Sequence, residues 1–145
     1  MIMPFSIAHL ALAGLDARFA WSSVPFAAQL SSLIVMALCF ALSIWAMRVN
    51  HFFSPVVRIQ SERGHRLVTD GPYAYIRHPS YLAAVGLMVS SGIALGSWWS
   101  LLPNIGAMLV IFRRLMLEDR FLHENLEGYR DYAQRVRSRL VPAVW

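Results

Sequence analysis

Two short clusters carry most of the chemically capable side chains of this 145-residue chain. The first is Gly71-Pro72-Tyr73-Ala74-Tyr75-Ile76-Arg77-His78-Pro79-Ser80-Tyr81. Asp70-Gly71-Pro72 is a strong turn signal. His78 is biased to an extended backbone by the proline after it, and Pro79 suits the first position of a helix. Arg77 and His78 are therefore expected at a helix N-terminus, where open backbone N–H groups attract anions. The plainer reading is a surface arginine and a capping histidine. The second cluster is Arg113-Arg114-Leu115-Met116-Leu117-Glu118-Asp119. Arg114 and Glu118 are four apart and share a helix face. An arginine so placed can hold a carboxylate bidentately. Its plainer reading is a snorkelling side chain in a surface ion pair. No Ser-His-Asp, zinc or phosphate-loop arrangement accompanies these clusters, and no metal is expected. Cys39 is the single cysteine, so there is no disulfide framework. His9, His51 and His123 are scattered and read as structural or surface residues.

The elements that must position these clusters are apolar. The chain is 57% hydrophobic and only 14% charged, against roughly 45–50% and 25% for soluble domains. Residues 24–47 carry no charge and would make a helix of about 36 Å, enough to cross a hydrocarbon core of about 30 Å. Residues 79–112 are also uncharged, but a single helix of that length would reach about 51 Å. Gly96-Ser97 and Trp98-Trp99 near its middle favour a helical hairpin, with passes at about 79–95 and 98–117. Pro103 falls early in the second pass, where it can kink the helix. Residues 2–15 are apolar but short for a span. The expected fold is all-α and integral to the membrane, a single domain over 1–145. It has three or four membrane helices, a loop at 50–78, and a tail at 118–145. In the tail, Leu122, Leu126, Tyr129, Ala133 and Val136 mark an amphipathic helix.

Charge orients this arrangement. All 13 basic residues are arginine, against 8 acidic residues. Twelve arginines flank the hairpin in the long loop and the tail, and only Arg18 falls on the other side. The positive-inside rule then places the loop and both termini in the cytoplasm of a multi-pass cell-membrane protein. The basic excess is a topology signal, and no nucleic-acid partner is expected.

Gly71-Pro72-Tyr73, Arg77-His78-Pro79 and Tyr81, followed by a membrane hairpin and Glu118-Asp119, resemble the isoprenylcysteine carboxyl methyltransferase family, whose wider clan includes phospholipid N-methyltransferases. Upstream, Phe52-Phe53, Val57-Arg58-Ile59-Gln60 and Arg63-Gly64-His65-Arg66-Leu67-Val68 resemble its cofactor loop. Tyr129, Tyr132, Val136, Arg139 and Pro142 fit its C-terminal tail. The resemblance covers roughly 24–145 and implies S-adenosylmethionine as methyl donor. It implies a cofactor-binding set of Gln60, His65, Leu67, Val68, Gly71, Pro72, Tyr73, Arg77, His78, Tyr81, Glu118 and Asp119. It also implies Arg114 and Glu118 as the catalytic pair, with Arg114 steering the acceptor's carboxylate. Family members usually have paired glutamates where Glu118-Asp119 stands. They also have more membrane helix before the region matched by Val24, so the chain reads as N-terminally shortened. The implied partners are a lipid-like or lipid-anchored substrate and membrane lipids. A carboxylate acceptor is already ionised at neutral pH and needs alignment and desolvation more than a base. An amine acceptor, as for a phospholipid N-methyltransferase, would need His78 or Glu118 to take a proton. A sterol-reductase-type enzyme and a non-catalytic membrane protein with the same fold are the remaining alternatives.

Overall fold

Long apolar runs bounded by proline and glycine set the helix ends. The computed structural model describes residues 2–54, 56, 58–59, 62, 64–142 and 145, and every regular element among them is helical. Helix α1 is Met3–Phe19, with Pro4 in its first turn and Ala20 closing it in a left-handed conformation. It continues beyond the expected end at residue 15. Asp16 lies on its buried face with His9 and Ala13, at spacings of four and three that align them on one side. Helix α2 is Phe26–Val49, starting just after Pro25. Helix α3 is Pro79–Ala94, with Pro79 at the first helical position as expected. Helix α4 is Leu101–Asn125. The turn between α3 and α4 contains Gly96 at φ +72. Pro103 sits in the first turn of α4, where an N–H has no intrahelical partner to lose.

One expectation is corrected. The tail is not a single amphipathic helix beginning at residue 118. Nothing in the sequence of 118–125 stops the hairpin's second helix, and an exposed Arg120–Glu124 pair at 2.9 Å supports its last turns. The break falls later, at Gly128, whose φ is +76. Helix α5, Tyr129–Arg135, follows.

Among the described residues α2 is the one helix long and apolar enough to cross a membrane. Only 11% of its most apolar stretch is buried in the chain, unlike a soluble core helix. Helix α3 is apolar but shorter.

The chain forms two compact units, Met1–Phe40 with Ala83–Arg113, and Ala41–Leu82 with Arg114–Trp145. In the first unit, Asp16 accepts a hydrogen bond from the Ser22 backbone N–H at 2.8 Å and others from the Ser22 and Ser97 hydroxyls. His9 Nδ1 lies 2.9 Å from Ser100 O. A carbonyl only accepts, so this nitrogen carries the proton. Asn104 donates to Met88 O at 2.6 Å. The buried polar groups of α1 are thus satisfied by Ser22 and by the α3–α4 hairpin, as an apolar setting requires. Cys39 packs against Gly86, where any Cβ would collide with its sulfur. The second unit holds the site.

Candidate active site

The last turn of α2 and the 3-10 turn at Gly71–Ala74 build one wall of the second unit. Gly71 has φ +58, and a Cβ there would lie 2.9 Å from Val49 Cγ2 and 3.1 Å from Trp45 Nε1. Both the turn and the close approach require glycine. The turn buries Pro72 and Tyr73. Tyr73 is held from two directions. Asn50 Nδ2 donates to its hydroxyl at 3.3 Å, and the Tyr132 hydroxyl donates to its carbonyl at 2.7 Å. Burial, with the nearby Glu118 charge, raises the Tyr73 phenol above its ordinary pKa, while the hydrogen bond from Asn50 pulls the other way.

The start of α3 and the end of α4 bring two polar sets together. In the first, the Tyr81 hydroxyl donates to Glu118 Oε2 at 2.6 Å and accepts from Arg114 Nε at 3.0 Å. All three residues are half-buried. The second set centres on Asp119, which is 3% exposed. Arg77 donates to it through Nε at 3.1 Å and Nη2 at 3.2 Å. His78 Nε2 donates at 3.1 Å, the Tyr129 hydroxyl at 2.8 Å and Arg139 Nε at 3.0 Å. Burial alone would raise the Asp119 carboxyl. Hydrogen bonds from His78, Arg139 and Tyr129 and the charge of Arg77 outweigh it and hold the group well below the usual carboxylate range. Burial and the Asp119 charge push the Tyr129 phenol upward, so it stays protonated and donates.

The described members of the expected set all belong to this unit. Gln60 lies outside the described residues. His65 stacks on Phe52 with centroids 4.6 Å apart, and its burial lowers the imidazole pKa against the weaker opposing charge of Glu62. Leu67 borders Gly128, and Val68 is half-buried. The N-terminus of α3 does not offer open backbone N–H groups to an anion, and the carboxylate beside it, Asp119, is held by the Arg77 and His78 side chains. Backbone N–H groups of Arg77 and His78 are taken by Ser138 O and Arg139 O, both at 3.0 Å. Sequence reasoning missed Asn50 altogether. It placed Tyr129, Tyr132 and Arg139 only as tail matches, because nothing local in the sequence names their distant partners.

A model of the isoprenylcysteine carboxyl methyltransferase family matches residues 30–124. The chain is 33% identical over 94 residues to the protein-S-isoprenylcysteine O-methyltransferase of Schizosaccharomyces pombe, covering 63% of this chain and 40% of that protein. It is 32% identical over 91 residues to protein-S-isoprenylcysteine O-methyltransferase B of Arabidopsis thaliana, covering 59% and 45%. The chain thus spans less than half the length of these curated relatives. The solved structure of a eukaryotic intramembrane Ras methyltransferase, an isoprenylcysteine carboxyl methyltransferase, has the same fold. The TM-score is 0.77 at 23% identity, covering 98% of this chain and 52% of that one.

Proposed function

The chain belongs to the isoprenylcysteine carboxyl methyltransferase family, and on that premise we propose that it is a multi-pass membrane enzyme that uses S-adenosylmethionine to O-methylate the carboxylate of an isoprenylcysteine-like, lipid-anchored acceptor. The observation that carries this reading is the Arg114–Tyr81–Glu118 set beside the Gly71-Pro72-Tyr73 turn. A cation, a neutral hydroxyl and an anion stand in one half-buried row, with a charge on either side of the phenol.

The donor set fits the cofactor in kind. Glu118 is a half-buried carboxylate suited to a cationic amine or sulfonium. When bound, S-adenosylmethionine supplies an electrophilic methyl group on a sulfonium. Everything else falls to the chain. Arg114 orients the acceptor carboxylate, which is already ionised and needs no base. Tyr81 keeps Arg114 and Glu118 in one geometry, so alignment is paid for in folding. Half-burial of Tyr81, Arg114 and Glu118 strengthens the electrostatics among them. Four helices, α1 to α4, cross or enter the membrane in this reading, and the site faces the cytoplasm.

The test is calorimetry and turnover with the purified full chain in detergent. S-adenosylhomocysteine should bind, and labelled methyl should pass to a prenylated cysteine carboxylate. Arg114→Ala should raise the acceptor KM about tenfold with cofactor affinity unchanged. Transfer to a lipid amine instead would replace the carboxyl reading with an N-methyltransferase. Absence of S-adenosylhomocysteine binding would remove the methyltransferase reading altogether.

A further inference from the structure

The resemblance assigns Asp119 to cofactor binding, but its surroundings leave no place for a ligand. A carboxylate offers roughly four lone-pair sites. Five donor contacts from Arg77, His78, Tyr129 and Arg139 already converge on its two oxygens. The same donors reach onward. Arg77 Nη1 donates to the carbonyls of Ala133 at 3.3 Å, Val136 at 3.1 Å and Arg137 at 3.3 Å. That puts a cation on the open C-terminal carbonyls of α5, where the helix dipole favours it. Glu118 and Asp119 are successive residues of α4, about 100° apart around its axis. One contacts Tyr81 and the other contacts His78, three residues earlier at the same end of α3. Two adjacent anchors of this kind fix the rotation of a helix.

We infer that Asp119 is a positioning residue: it locks the rotation of α4 and fastens the segment 129–139 to the N-terminus of α3, and so holds Glu118 and Arg114 on Tyr81. Its kinetic consequence rests on the methyltransferase reading above; its mechanical consequence does not. Replacing Asp119 strips Arg77 of its buried counter-charge and releases Arg139 and Tyr129 together, so the tail and the Tyr81 set loosen in one step.

The experiment uses the full chain in detergent with Asp119→Asn, Asp119→Glu and Arg139→Gln. Three quantities are read: kcat on a prenylated cysteine, Kd for S-adenosylhomocysteine, and the rate of tryptic cleavage after Arg135 and Arg137. Asp119→Asn should lower kcat about a hundredfold and leave Kd within about threefold, while tail cleavage rises about tenfold. Asp119→Glu should recover part of both, and Arg139→Gln should move both in the same direction by less. A Kd that weakens in step with kcat, with tail cleavage unchanged, would make Asp119 a cofactor ligand and overturn the inference. Faster cleavage at unchanged kcat would equally overturn the coupling to Tyr81. If the native chain transfers no methyl group, the functional reading fails and the cleavage rates alone decide the lock, unchanged rates overturning it. If Asp119→Asn yields no folded protein, Arg139→Gln decides, faster cleavage at native Kd supporting the lock and native cleavage overturning it.

Discussion

At Gly71 a left-handed backbone coincides with a wall made by Val49 and Trp45. Gly64 has a similar φ, +63, but open space around it. Both glycines carry the conformational penalty on substitution, and only Gly71 adds a collision. Gly64→Ala should therefore cost about 1 kcal/mol, and Gly71→Ala about 2–4 kcal/mol. Thermal midpoints of the two variants, measured in the same detergent, should fall in that order. Sequence alone marks Gly71-Pro72 as a turn, because those residue types punctuate a chain wherever they occur. It does not reveal the Trp45 wall, which lies on another element. The same holds for Asp119. Its type and its place beside Glu118 suggest a polar role at the end of the hairpin. Its saturation by Arg77, 42 positions away, is a product of the fold.

The helices show the same division between local and distant causes. The starts of α2 and α3 are legible because Pro25 and Pro79 define them. The end of α1 is less so, because a charged residue at position 16 reads as a stop until its three donors are known. The tail differs from its expected single helix because the stripe from Leu122 to Val136 is continuous in spacing, whereas the backbone turns at Gly128. Helix α5 has seven residues, too few to be stable alone, and depends on burial of Tyr129 and Tyr132 and on its link to Asp119. That link has a defined acid sensitivity. The Asp119 pKa is depressed in the folded state below its ordinary 3.8, so its contribution is fully present above that value and is lost as pH falls below it. Hydrogen exchange of segment 129–139, corrected for intrinsic rates and followed from about pH 6 to about pH 3, should accelerate at the acid end in the native chain. In Asp119→Asn the segment should exchange fast throughout, with no such acid step.

For the molecule as a whole, apolar excess and one-sided arginine predicted an all-helical membrane fold, and the all-helical family fold is present. The number of crossings is not written in hydropathy alone, because α4 changes from apolar to charged along one continuous helix. Orientation can be measured directly. With the sole cysteine removed by Cys39→Ala, Trp99→Cys in the hairpin turn should react with an impermeant maleimide on intact cells. Arg137→Cys should react only after permeabilisation. The reverse pattern would invert the proposed topology, and labelling of both on intact cells would argue against a crossing between them. The lock at Asp119 also bears on how the protein is made. Arg77 leaves the ribosome 42 residues before the carboxylate that neutralises it, an interval of about 2–8 s at ordinary elongation rates. Arg139 follows a further 20 residues later. Through that interval Arg77 lacks the carboxylate that pairs with it in the folded chain, so the second unit closes only after residues 79–113 have been made.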